Sequence, residues 1–114
     1  MTEPVRIPVV CDMTGARDTL EARMAEYGRL FEAALVGRDR LTPEAIRFRF
    51  GGDAGVESWV RDLADREQGC CAFFTMTVTA RAGEVWWDLS VPDDDAARQV
   101  LELMYQLPDA PAPA

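Results

Sequence analysis

The chain contains no histidine. That excludes a Ser/His/Asp triad, an imidazole acid–base and any His-bearing zinc set. No P-loop and no GxGxxG occurs, so the phosphate-cradling motifs are absent too. No apolar run nears the roughly 20 residues that span a bilayer. The first residues, Met1-Thr2-Glu3-Pro4, carry an acid and no basic n-region; no secretory signal is read there, and a cytoplasmic protein is expected. Basic residues number 12 against 20 acidic ones, a net charge of −8. Such a surface repels nucleic acid and anionic membrane, because both demand Lys and Arg against phosphate. It does not oppose a cationic ligand.

Cysteine is scarce as well: three residues, Cys11, Cys70 and Cys71, in 114. Thiols stay reduced in the cytoplasm, and an odd count argues against a disulfide framework. Two adjacent cysteines rarely bond to each other, since the tight ring distorts the peptide between them. With 48% apolar and 28% charged residues, the chain has the balance of one globular domain with a real core. A single domain over 1–107 is expected, with a disordered Pro/Ala tail over 108–114.

Hydrophobic periodicity predicts the elements. Arg6 to Cys11 reads as a first strand at a sheet edge, since Pro8 cannot donate. Asp12 or Thr14 caps a helix through about Val36, with Leu20, Met24, Tyr27, Leu30, Phe31, Ala34 and Leu35 as its apolar stripe and Gly37 as its stop. Arg38 to Pro43 reads as a polar connection, and Ile46-Arg47-Phe48-Arg49-Phe50 alternates as a half-buried strand. Asp53 caps a second helix carrying Val56, Trp59, Val60, Leu63 and Ala64 on one face and ending near Gln68-Gly69. Phe73–Ala80 and Val85–Val91 form a hairpin about Arg81-Ala82-Gly83-Glu84. Phe74, Met76, Val78 and Ala80 should oppose Val85, Trp87, Leu89 and Val91. Asp93-Asp94-Asp95 opens a last helix that buries Ala97, Val100, Leu101 and Met104. The expected fold class is α/β: a two-layer sandwich of order β-α-β-α-β-β-α, its four-stranded mixed sheet covered by helices.

The cysteines fall at a strand end and at a helix-to-strand junction, where a fold can bring distant residues together. Three thiolates without imidazole form a soft donor set suited to Hg(II), As(III), Cd(II), Cu(I) or Zn(II). Zinc would want a fourth ligand, for which Asp12 and Glu67 are the nearest carboxylates. The bland alternative is that free cysteines pack as small buried hydrophobes. Both sulfurs of the pair reach one ion only if the backbone turns there, which Gly69 would permit. Thiols at a helix C-terminus meet the negative end of the dipole, which favours ion binding over thiol redox chemistry; nearby Arg66 offsets this in part. Trp86-Trp87 places one indole inside and one outside. Arg47 and Arg49 read as a solvated face that, with Arg38 and Arg40, could form a basic patch.

Residues 60–79, VRDLADREQGCCAFFTMTVT, resemble a family of small actinobacterial domains with an upstream cysteine and an E-x-x-C-C-x-F-F block. Related domains occur alone or appended to MerR-type regulators in a mercury- or metalloid-resistance context. The resemblance implies that Cys11, Cys70 and Cys71 act together, with Glu67 as neighbour. A soft-ion binding protein is the leading expectation, for sequestration, sensing or resistance. An organomercurial-type lyase or thiol-dependent enzyme, using the cysteines with Asp12 or Glu67 as acid, is the enzymatic alternative. A non-metal interaction module with inert cysteines, such as a homodimer, is the third.

Overall fold

Strict alternation in Ile46-Arg47-Phe48-Arg49-Phe50 puts three apolar side chains on one face of a strand and two arginines on the other. The computed structural model, which describes residues 18–52 and 54–109, shows all three apolar ones buried at 2% exposure or less. In chain order the elements are α1 (Leu20–Ala34), β1 (Leu35–Thr42), β2 (Ala45–Gly51), α2 (Ala54–Cys70), β3 (Thr75–Arg81), β4 (Glu84–Ser90) and α3 (Asp95–Gln106), with a closing 3-10 turn (Leu107–Asp109). The strands form one sheet of order β1-β2-β4-β3. The α/β sandwich with a four-stranded sheet is as expected, and from β2 onward the succession β-α-β-β-α is the one read from the sequence.

All three pairings are antiparallel, where a mixed sheet was expected. Two short hairpins account for the β1–β2 and β3–β4 pairings, because tight turns can join only antiparallel neighbours. Helix α2 carries the chain past one strand position, so β4 fills the gap between β2 and β3. The expected strand over 6–11 and the expected cap Asp53 lie outside the described residues. Arg38 to Pro43, expected as a connection, belongs largely to β1. Its period was hidden because an edge strand is half exposed and needs no apolar face. Arg38 and Arg40 instead lay their guanidiniums over the Tyr105 ring, at 4.8 and 4.0 Å from its centre.

One sheet face is apolar and carries the helices. Tyr27, Leu30 and Phe31 of α1, Val60 and Leu63 of α2, and Ala97, Leu101 and Met104 of α3 join Phe48, Phe50, Val85, Trp87 and Leu89 in one core. The β3–β4 register is the expected one: Met76 faces Leu89, Val78 faces Trp87 and Ala80 faces Val85. The other sheet face is laced with ion pairs. Arg47 meets Asp88 at 2.7 Å and Arg49 meets Asp39 at 2.9 Å, so each arginine has an acid and no basic patch forms among them. Among the described residues no helix is long and apolar enough to cross a membrane.

Boundaries moved where caps decide them. Helix α1 begins later than expected, at Thr19, whose Oγ1 accepts the Ala22 amide at 3.1 Å. It ends at Ala34, before Gly37, because Leu35 already enters β1. Asp94 caps α3 by accepting the Ala97 amide at 2.9 Å. Of the expected tail, Pro108 and Asp109 are held in the 3-10 turn, with Asp109 paired to Arg38; residues 110–114 lie outside the described part.

The β3–β4 turn holds Ala82 at φ 46° and Gly83 at φ 84°. Left-handed backbone suits Gly83 but costs alanine about 1 kcal/mol. Ala82→Gly is therefore expected to raise stability by up to about 1 kcal/mol in thermal unfolding. A loss of stability would show that the turn gains something else from the Ala82 methyl.

Candidate functional site

Two helices each carry one charged residue on an otherwise apolar stripe. On α1 the stripe runs Arg23, Tyr27, Leu30, Phe31; on α2 it runs Val60, Leu63, Glu67, Cys70. Spacings of three and four keep each set on one face, so Arg23 and Glu67 are carried into the core together. Arg23 is 1% exposed and Glu67 6%. A charge buried this deeply must be paired and hydrogen-bonded.

Arg23 meets that requirement fully. Its Nε and Nη2 grip Asp18 at 3.0 and 2.6 Å, a bidentate clamp. Its Nη1 reaches Glu67 Oε2 at 3.1 Å, Cys70 Sγ at 3.3 Å and the Arg66 carbonyl at 3.4 Å. Arg66 extends the network, donating to Asp18 at 3.0 Å, to Glu26 at 2.6 Å and to Asp62 at 2.8 Å. Glu26 also accepts the Trp59 indole at 2.7 Å. Two guanidiniums thus serve four carboxylates, and the cluster is acidic in balance.

The electrostatic consequences follow the contacts. The Arg23 hydrogen bond holds the Asp18 carboxyl down at about 2, against the opposing effect of burial. The same bond raises Arg23 further above its ordinary value. Glu26 is lowered by Arg66. Burial first, then the charge of Glu67, pushes the Tyr27 hydroxyl well up. That hydroxyl is buried and meets the geometric criteria for a hydrogen bond with no partner among the described residues.

The cysteine pair closes the site. Cys70 is the last residue of α2 and Cys71 follows it, 8% and 0% exposed. The helical bond from Cys71 N to Glu67 O, 2.8 Å, carries the chain one residue beyond α2 before it turns. Gly69, expected to turn the backbone, is an ordinary helical residue without positive φ. The turn comes after Cys71, and Phe74 N bonds back to Cys71 O at 3.0 Å. Both sulfurs are therefore held at the end of one helix. Cys71 Sγ lies 3.4 Å from Glu67 Oε1.

Cys71 is disulfide-bonded and Cys70 is free. A vicinal bond between them is thereby excluded. A disulfide sulfur has no hydrogen, so the Cys71–Glu67 approach is a sulfur–oxygen contact in this state and a hydrogen bond once the thiol is restored. Cys11 and Asp12 lie outside the described residues. Among the described residues, no group of three or more His, Cys, Asp or Glu side chains is arranged to hold a metal.

An apolar cleft of about 570 Å³ runs beside the site between α1 and α3, with Leu20, Met24, Leu103 and Met104 on its walls and Arg23 and Glu67 at its floor.

No known family, curated protein or solved structure matches this chain. The chemistry of the cluster itself must carry the functional reading.

Sequence reasoning named Glu67, Cys70 and Cys71, which the fold brings to one place, but missed Arg23. The expected neighbour, Arg66, turns instead to Glu26 and Asp18. The signal was present: Arg23 sits four residues before Tyr27, on the line of the buried stripe.

Proposed function

We propose that the reduced protein binds a thiophilic metal or metalloid ion, Hg(II) or As(III) foremost, through thiolates of Cys11, Cys70 and Cys71. Its role would be sequestration, sensing or resistance. The observation that carries the reading is the pair of buried sulfurs at the end of α2, Cys70 Sγ 3.3 Å from the Arg23 guanidinium and Cys71 Sγ 3.4 Å from Glu67. Cys71 is disulfide-bonded, so the reading applies to the reduced chain. A small-molecule thiol would reduce the bond, leaving three soft donors for one ion, which displaces their protons on binding. The donor set fits the ion, and the surplus of carboxylates around Arg23 and Arg66 favours a cation. Arg23, already bound to Cys70 Sγ, would keep that sulfur oriented.

Titration of the reduced protein with Hg(II) is expected to show one equivalent bound, an ultraviolet thiolate-to-metal band and a raised melting temperature. At free ion about 1,000-fold above Kd, linkage alone adds about 4 kcal/mol. Unchanged stoichiometry and affinity in both Cys11→Ser and Cys71→Ser would sink the reading.

The contact of Glu67 with Cys71 Sγ also favours an organomercurial lyase. Sulfur would hold the mercury while the Glu67 carboxyl protonates the leaving carbon as the carbon–mercury bond breaks. Benzene release from phenylmercury by the reduced protein, lost in Glu67→Gln, supports this; binding without release returns the protein to simple capture.

A further inference from the structure

Helix α3 carries more apolar surface than the core takes up. Ala97, Leu101 and Met104 are buried in the core, while Val100 and Leu103 form a second line beside them. On α1, Leu20 and Met24, four residues apart, answer that line across the cleft of about 570 Å³. Leu20 and Leu103 stay 59% and 68% exposed, so among the described residues the walls are apolar surface left to water. Met24 and Met104 give those walls an adaptable lining. A cleft of this size, apolar with a few polar groups, is the usual form of a small-molecule site.

The floor selects the charge of the ligand. Glu67 lines it, with Oε2 on Arg23 and Oε1 facing the Cys71 sulfur at 3.4 Å. A disulfide sulfur has no hydrogen to give, so Oε1 keeps the capacity to accept one from a ligand. Arg23, the cation at the floor, is already gripped by Asp18 and Glu67. Two guanidiniums against four carboxylates leave the network two negative charges in excess. Asp109, also on the lining, is matched by Arg38.

We infer that the cleft binds a small lipophilic cation, a protonated amine on a hydrocarbon body, with its ammonium on Glu67 and its chain along Leu20, Met24, Val100 and Leu103. The ammonium donates to a carboxylate that Arg23 engages through one oxygen only. An anionic head would meet the excess of negative charge instead. The hydrocarbon body covers the exposed leucines and drives the association. No sulfur is a ligand here, so the site stands or falls apart from the ion capture proposed above.

The oxidised full chain, titrated calorimetrically with decylamine below its micelle concentration at neutral pH, is expected to bind one equivalent. Decanol and decanoate, lacking the charged donor, should bind about tenfold more weakly or worse. Octylamine, two methylenes shorter, should also bind about tenfold more weakly. Leu103→Ser, at an exposed position, should weaken decylamine several-fold with the circular dichroism unchanged. Glu67→Gln should erase the preference for amine over alcohol. Several equivalents bound, unaffected by Leu103→Ser, would mean adsorption on a chain of net charge −8 and overturn the site. Equal affinity for decanol, or a tighter hold on decanoate, overturns the choice of a cation. Where Glu67→Gln fails to fold, the comparison of head groups on the wild type decides.

Discussion

Arg23→Leu is expected to lower the unfolding free energy by about 3–5 kcal/mol, read by urea denaturation followed by circular dichroism. Leucine fills much of the same volume, so the loss is electrostatic rather than a cavity. Glu67, 6% exposed, would be left as a buried carboxylate with no cation bonded to it among the described residues. Asp18 would keep Arg66 at 3.0 Å and suffers less. The double variant Arg23→Leu, Glu67→Leu should recover much of the deficit, because replacing a whole buried ion pair with apolar groups is often neutral. If the single variant is as stable as the wild type, the pair is not buried as described.

The same network sets an acid limit. Asp18 has its pKa lowered from 3.8 to about 2, chiefly by Arg23, and Glu26 is lowered by Arg66. A depressed carboxylate contributes stability that is complete above its unfolded pKa and fades as pH falls through the folded one. The wild type should therefore lose stability between about pH 4 and pH 2. The Arg23→Leu protein should show a shallower decline across that window, since part of the contribution is already gone.

The sheet register and α3 were legible because alternation and three-four spacing depend on nothing beyond local sequence. Val78 opposite Trp87 and the burial of Ala97, Leu101 and Met104 on α3 follow from that arithmetic. The edge strand β1 was not legible, since Arg38 and Arg40 bury only their stems. The site was half legible. Cysteines announce themselves by rarity, but a buried arginine looks like any of the surface ones until its helix neighbours are counted. Arg23 and Glu67 each sit where their helix demands an apolar residue. Two such violations on helices packed together are best read as one pair, a rule that would have located the site from sequence.

Trp87→Ala should be the most damaging single change outside the site, at about 3–5 kcal/mol. That is a large share of the 5–15 kcal/mol that holds a domain together, so the variant is expected to be partly unfolded at 37 °C. Trp87 is fully buried, stacks on Tyr27 at 6.0 Å and lies between Phe48 and Val78 in the sheet register. Trp87→Phe should cost far less. The indole Nε1 is buried without a partner among the described residues, and removing an unsatisfied donor returns about 1–3 kcal/mol against the lost volume. Trp86 makes the contrast. It faces outward between Arg47 and Arg81, at 4.2 and 4.9 Å, and its loss forfeits two cation–π contacts of about 0.5–1 kcal/mol each. The core indole also reaches the site, because Tyr27, stacked upon it, presents its hydroxyl to the charge of Glu67. Loosening that stack should speed alkylation of Cys70 in the folded fraction of Trp87→Ala, while Trp86→Ala leaves it unchanged. Equal alkylation rates in the two variants would show that the sheet and the sulfur site are not mechanically joined through Tyr27.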